Sequence, residues 1–256
     1  MSAHNKESAI PRVTVSVVSH GQRDLVAVLL EQLAALRDPC LVLVIVVHNL
    51  PDIDLPKPQG AVFDLVQLHN TKPLGFSANH NLAFGHCKSP WFAVLNPDIE
   101  FQFGNPFPVL LEAMIDDERL GAVAPALLQP GTLHIEPNRR IVTPLELVLR
   151  RLPGYKPPAE PDWLVGAFLL IRSDVYKTLG GFDDRFRLYC EDVDLGARIR
   201  SSGWGIRRVE IAKVVHLTQR RSHWAFKFGL LHLMSLLRFW AKLVLIGLNN
   251  RDSWII

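Results

Sequence analysis

Five carboxylates crowd the first half of residues 180–204, GGFDDRFRLYCEDVDLGARIRSSGW, at Asp183, Asp184, Glu191, Asp192 and Asp194. Behind them Leu195, Ala197, Ile199 and Trp204 give an apolar stripe at helical spacing, and the run ends in basic residues and Gly203. Acidic side chains favour the first turn of a helix and basic ones the last, because aligned peptide dipoles leave partial charges at the two ends. Glu191, Asp192 and Asp194 are therefore expected at a helix entrance, just after the aromatic and apolar residues 186–189. An acid cluster taken alone caps a helix more often than it performs chemistry. What this one does depends on the residues gathered around it.

Asn96-Pro97-Asp98 ends a predicted strand. A carboxylate there, beside a polar amide, can hold a hard divalent cation that keeps waters and substrate phosphates; such sites need only one or two protein carboxylates. The same tripeptide is also an ordinary turn. His216 closes another strand, and a lone histidine is more often structural than a ligand. Arg220 and Arg221 follow it closely and suit a diphosphate through paired hydrogen bonds. Gly75-Phe76-Ser77 opens a helix, with Ser77 as its expected N-cap and Asn79, His80 and Asn81 in its first turns; free N–H groups at such a start can meet phosphate. The chain has no GxGxxG, GxxxxGK[ST] or GxSxG pattern, which removes the main support for dehydrogenase, P-loop and serine hydrolase chemistry.

The elements that must position these residues follow in order. Residues 13–19 and 41–47 are β-branched runs, apolar throughout the second, with a helical pattern between them. That is a βαβ unit, whose crossover is right-handed. Further strands are predicted over 62–68, 91–95, 121–126 and 163–172, with a last edge strand over 206–215 and a helix over 106–120. Open α/β sheets place ligands where strands end in polar residues on one edge, so His20, His48, Asn96 and Asp98 are candidates for one crevice. Residues 129–162 are loop-rich and proline-rich around a basic helical piece at 145–151, and an insert of that length is usually functional or mobile. Gly166 marks a point where a ligand or another backbone comes close.

At 256 residues and 48% hydrophobic content, the chain can bury a sizeable core in one domain, over residues 10–222, followed by a tail over 223–256. Its three cysteines are scattered without metal-type spacing, which points to a reducing compartment. The polar start lacks the apolar stretch of a signal peptide, so a cytoplasmic location is expected. Residues 207–256 hold nine Lys/Arg against Glu210 and Asp252, a balance of +7 within a net charge of +3. In the tail, Lys227, Ser235, Arg238, Lys242 and Asn249 fall in one narrow helical sector and leucines fill most of the rest. A basic, Trp/Phe/Leu-rich helix of this kind fits an anionic membrane surface, with packing on the domain's own core or on a second subunit as the alternative. Nucleic acid is not expected as a partner, since leucine-rich spacing suits lipid better than phosphate tracking.

Taken together and in order, several segments resemble family 2 glycosyltransferases of the GT-A fold. They are VTVSVVSHG at 13–21, LVLVIVVHN at 41–49, LGFSANHNLAFG at 74–85, LNPDI at 95–99, the run from Val165 to Trp204, and VVH at 214–216. The SHG, NPDI and YCEDVDL forms look most like bacterial rhamnosyltransferases that build O-antigen and other cell-surface polysaccharides.

The resemblance implies a mostly parallel sheet flanked by helices with a C-terminal amphipathic helix. It also implies an inverting transfer of rhamnose from dTDP-rhamnose, or of a sugar from a UDP donor, to a polyprenyl-diphosphate-linked saccharide. Asp192 matches the catalytic base, with Glu191 orienting it or the acceptor. Asp98 matches the metal-binding acid, with Asn96 in place of its first aspartate, and His216 matches a further ligand for Mg²⁺ or Mn²⁺. Gly75, Asn79 and Asn81 match donor-contact positions, and His48 stands where the family usually has an aspartate for the donor's pyrimidine. Such an enzyme is expected on the inner face of the cell membrane. A catalytically silent sugar-nucleotide or glycan-binding module is the alternative, and the His48 departure supports it.

Overall fold

The structure, a computed structural model, describes residues 10–186, 188–217 and 225–249. Val13–Ser19 (β1), Leu41–His48 (β2), Asp64–His69 (β3) and Trp91–Leu95 (β4) run parallel, with β1 between β2 and β4 and β3 outside β2. Apolar residues alternate onto two faces of this sheet, and each face has its own core. Arg23–Ala35 (α1) and Phe107–Asp116 (α3) cover one face through Leu29, Leu33, Phe107 and Leu110. The other face is covered by Phe76–Phe84 (α2), Ser173–Thr178 (α5) and Glu191–Ser201 (α6), through Ala83, Tyr176, Leu195 and Ile199. Burial on both faces is why β2 and β4 are apolar up to His48 at the end of β2, while the buried Thr14 and Ser16 of β1 bond to Ser89 and His80.

Past β4 the sheet turns mixed. Phe168–Arg172 (β7) is antiparallel to β4 and to Leu120–Leu128 (β6), and Gly205–His216 (β8) runs parallel to β6. The two-residue strand Ile99–Glu100 (β5) pairs antiparallel with the end of β8, giving the order β3-β2-β1-β4-β7-β6-β8-β5. β8 is thus internal, and the edge belongs to a strand too short to see in the sequence. Only residues 96–98 separate β4 from β5. Four Cα steps reach about 14 Å, whereas four strand spacings in a flat sheet are about 19 Å. The sheet must therefore curl, and the curl brings the end of β8 back beside the end of β4.

The predicted strand over 163–172 forms only from Phe168, because residues 163–167 turn to meet α6. The basic helical piece is Pro144–Leu149 (α4), capped by Thr143, whose side chain accepts from Glu146 N. The N-cap of α2 is Gly75 rather than Ser77, whose hydroxyl is buried and donates to Phe186 O at 3.0 Å. Gly181, at φ +71°, closes the turn before the acid-rich segment; a Cβ there would clash with the Asn81 carboxamide oxygen.

In the tail helix, Ala225–Asn249 (α7), three residues of the polar sector foreseen from its sequence, Ser235, Arg238 and Lys242, bond to the domain. Lys242 Nζ lies 2.9 Å from Asp183 Oδ2 and 2.5 Å from Asp194 Oδ1. Ser235 Oγ donates to Leu188 O at 2.9 Å, and Arg238 donates to Arg185 O. Phe239 and Leu236 are buried with Phe186, Val193 and Trp163 in a third apolar cluster. Burying each such side chain contributes about 1.5–3 kcal/mol, so the middle of α7 is held by the domain.

Candidate functional site

The parallel strands β1, β2 and β4 end together, in register Ser19 with His48 and Val17 with Leu95, so His20, Asn49 and Asn96 emerge on one edge. Asn49 is the hub there. Its amide nitrogen lies 2.8 Å from His20 Nδ1 and donates to Leu74 O, and its carbonyl accepts from Leu74 N at 2.7 Å and from Asn70 at 2.9 Å. These bonds hold the approach to α2 against the strand ends. His20 is the exposed imidazole of the group, and Gly75 is half-buried at the start of α2.

Asp98 and His216 come together from opposite parts of the chain. The β5–β8 pairing sets Ile99 opposite His216, Leu217 N donates to Asp98 O at 2.9 Å, and His216 Nε2 lies 3.4 Å from Asp98 Oδ1. Two ligands at right angles on a hard octahedral ion lie about 3 Å apart. One carboxylate and one imidazole at this separation therefore fit two ligand positions of a single Mg²⁺ or Mn²⁺ ion. His48, Asp54 and His69 also bring ligand atoms within 4.8 Å of one another. There, however, the two imidazoles are stacked, 4.5 Å apart and 6° from parallel. Imidazole lone pairs lie in the ring plane, so parallel rings do not converge on one ion.

Asp192 sits in the first turn of α6. Its Oδ2 accepts from Gly166 N at 3.0 Å and its Oδ1 from Val193 N at 2.8 Å. A Cβ on residue 166 would lie 3.3 Å from the Asp192 Cβ, so glycine here lets the carboxylate approach the backbone, as the sequence leads one to expect of some neighbour. The next residue, Ala167, accepts from Asn96 N at 2.8 Å. Gly166 and Ala167 thus join the Asn96–Asp98 turn to Asp192 through two hydrogen bonds. Burial raises the Asp192 carboxyl, and the N–H groups of Gly166 and Val193 offset part of that rise. Glu191 is buried, and desolvation followed by the charge of Asp192 holds it above the usual carboxylate range. Tyr189 and Cys190, just before them, both have positive φ, at 69° and 66°, an uncommon backbone for non-glycine residues that turns the chain sharply into α6.

Several predicted contact residues are committed elsewhere. Asn79 is buried, donating to Gly75 O and accepting from Asn70. Asn81 donates to Phe182 O and accepts from Tyr176 and Phe182 N, which ties α2 to the turn at Gly181. His48 is 1% exposed, with Nε2 2.9 Å from Gln67 Oε1 and its face against His69, so it backs the edge rather than lining it. His80 bonds Ser16 Oγ at 2.8 Å, and burial pushes its imidazole down to about 3, which keeps it neutral inside the core. Arg220 and Arg221 lie outside the described residues. One cation escaped notice in the sequence. Arg139, from the proline-rich insert, lies over the Trp163 ring at 5.4 Å and is the cation whose charge lowers Asp192. Its only sequence signal was a pair of arginines inside an irregular segment.

No family model matches the chain. It is similar to the N-acetylglucosaminyl-diphospho-decaprenol L-rhamnosyltransferase of Mycobacterium tuberculosis, at 30% identity over 143 residues, which is 49% of this chain and 46% of that protein. The match thus spans about half the length of that relative. Rhamnosyltransferase WbbL of Escherichia coli strain K12 is 25% identical over 261 residues, covering 94% of this chain and 97% of its own. Among solved structures, the mannosyltransferase PcManGT from Pyrobaculum calidifontis, in complex with GDP-Man and Mn²⁺, superposes with a TM-score of 0.58 over 86% of this chain and 61% of its own, at 17% identity. GalNAc-T7 with UDP, GalNAc and Mn²⁺ gives 0.60 over 91% of this chain and 48% of its own, at 14% identity. In sequence the chain is thus similar to bacterial rhamnosyltransferases, and its fold is the GT-A fold of these glycosyltransferase structures.

Proposed function

We propose that the chain is an inverting glycosyltransferase that moves rhamnose from dTDP-rhamnose to a polyprenyl-diphosphate-linked saccharide in the assembly of a cell-surface polysaccharide. The names of the similar rhamnosyltransferases support the sugar and the lipid carrier, and the O-antigen biosynthesis protein RfbC of Myxococcus xanthus, 26% identical over 227 residues, which is 80% of this chain and 17% of that protein, supports the polysaccharide. The observation that carries the reading is the Gly166-Ala167 bridge, which ties the strand end holding Asp98 to the carboxylate of Asp192.

In this reading Asp192 takes the proton from an acceptor hydroxyl while that oxygen attacks the anomeric carbon. The bond from that carbon to the donor's diphosphate breaks on the opposite face, so configuration inverts in one step and a nucleoside diphosphate leaves. A single base suffices, unlike the paired carboxylates of glycosidases. Two backbone N–H bonds fix the Asp192 carboxylate, and partial burial keeps it more basic than a solvated aspartate. Asp98 and His216 would hold a Mg²⁺ or Mn²⁺ ion, which supplies neutralisation of the charge on a diphosphate leaving group. Arg139 adds a further positive charge near the base. The donor's nucleoside is assigned to the edge at His20, with Gly75 at the start of α2 beside its phosphates.

A lipid-linked acceptor also calls for an enzyme working at the inner face of the cell membrane, where confinement raises the effective acceptor concentration. The test is a mass-spectrometric screen of dTDP- and UDP-sugars against a short polyprenyl-diphosphate-linked saccharide, with and without Mg²⁺ or Mn²⁺. Rhamnosylated product from dTDP-rhamnose is expected. Donor binding without product from any lipid-linked acceptor would make the chain a silent binding module instead.

A further inference from the structure

On the side away from the core, α7 offers solvent a row of apolar side chains. Leu233, Met234, Leu237 and Val244 are between 49% and 63% exposed, and their spacing puts them along one face of the helix. The helix α4 and the turn after it do the same, with Leu145, Val148, Leu149 and Leu152 between 40% and 65% exposed. The two helices are neighbours. Trp240 Nε1 donates to Val142 O at 2.7 Å, just before α4, and Leu147 packs on the cluster that buries Leu236 and Phe239.

The charges around this double face have one sign. Between residues 138 and 159 the only acid is Glu146, which is buried and bonded to Tyr155. Arg140, Arg150, Arg151 and Lys156 are exposed, and α7 contains no acidic residue. Apolar surface of this extent marks an interaction site on a monomer. A second copy of the chain would bring a second ring of like charge against the first, which is unfavourable. Anionic phospholipid has the opposite charge and an apolar interior.

We propose that the outward faces of α4 and α7 together form a surface that lies in the headgroup region of an anionic bilayer. The leucines, valine and methionine enter the acyl boundary while the arginines and Lys156 meet lipid phosphates. Leu233, Leu237 and Val244 belong to the apolar part of α7 that its sequence offered to lipid, and α4 adds a second apolar row beside them. No helix among the described residues is long and apolar enough to cross a membrane. Bilayer binding is independent of the transfer reaction, so either can fail without the other.

The experiment is flotation of the full chain with vesicles of phosphatidylcholine, alone or mixed with phosphatidylglycerol, alongside Val148→Gln and Leu237→Gln. Circular dichroism melting confirms that both variants fold, and sedimentation reports oligomeric state. The wild type should float with the anionic vesicles, less so with neutral ones and less at high salt. Each substitution should weaken binding about ten-fold, since each removes one inserted aliphatic side chain. A wild type that stays in the aqueous fraction, or binding that ignores Val148→Gln, overturns the proposal. So does a dimer that Leu237→Gln splits, because a second copy would then be what covers the face.

Discussion

Glu191 and Asp192 are chain neighbours in unlike surroundings. Asp192 accepts two backbone N–H bonds, whereas Glu191 Oε2 is buried with no hydrogen-bond partner among the described residues. Burial raises both carboxyls, so between the ordinary carboxylate range and the raised value the folded chain binds protons that the unfolded chain has released. Stability therefore falls as pH rises through that window. Glu191→Gln removes the glutamate's share, and the variant should exceed the wild type in stability at pH 8, by on the order of 1–3 kcal/mol. The difference should vanish below about pH 4, where the carboxyl is protonated in both states. Thermal melts at the two pH values check it, and an advantage that does not change with pH would contradict it. For catalysis, the rate should rise with pH through an apparent pKa above the ordinary aspartate value of about 3.9. The acids at the entrance of α6 were legible from their types and spacing alone. Their partners were not: Gly166 lies 26 residues away from Asp192, and only the turn before β7 brings it near.

Among the elements, α7 has the most consequence for the site. Lys242 reaches both Asp183, in the turn before the site, and Asp194, in the first turn of α6. Asp194 is fully buried and keeps a second partner in Arg198 at 2.7 Å. The side chains of Arg185, first, and Lys242 hold the Asp183 carboxyl well below its usual range. Lys242→Met leaves those charges short of a partner and should destabilise the fold by about 2 kcal/mol. Chemical denaturation measures that, and an unchanged midpoint would show that α7 does not brace the α6 entrance. A helical wheel reveals that α7 has a polar stripe but not which way the stripe turns. Water is the default partner for cations, and aspartates 48 and 59 residues away are invisible to local periodicity. The same limit hid β5, whose two residues are defined only by their pairing with β8.

For the molecule as a whole, the curl of the sheet assembles the site. β1, β2 and β4 deliver polar residues to one edge, and closure of β5 on β8 returns His216 to Asp98. The turn through Gly166 and Ala167 then fastens α6 to the same edge. The parallel half of this arrangement follows from its apolar runs. The mixed half depends on long-range pairing that no window of sequence contains. One measurement tests the central claim that Asp192 serves the chemistry and not the binding of the donor: single-turnover transfer by Asp192→Asn, with dTDP-rhamnose affinity measured by calorimetry on the same preparation. Loss of a general base predicts a rate lower by about 10²–10⁴-fold with donor affinity essentially unchanged. Transfer at the wild-type rate would contradict the account.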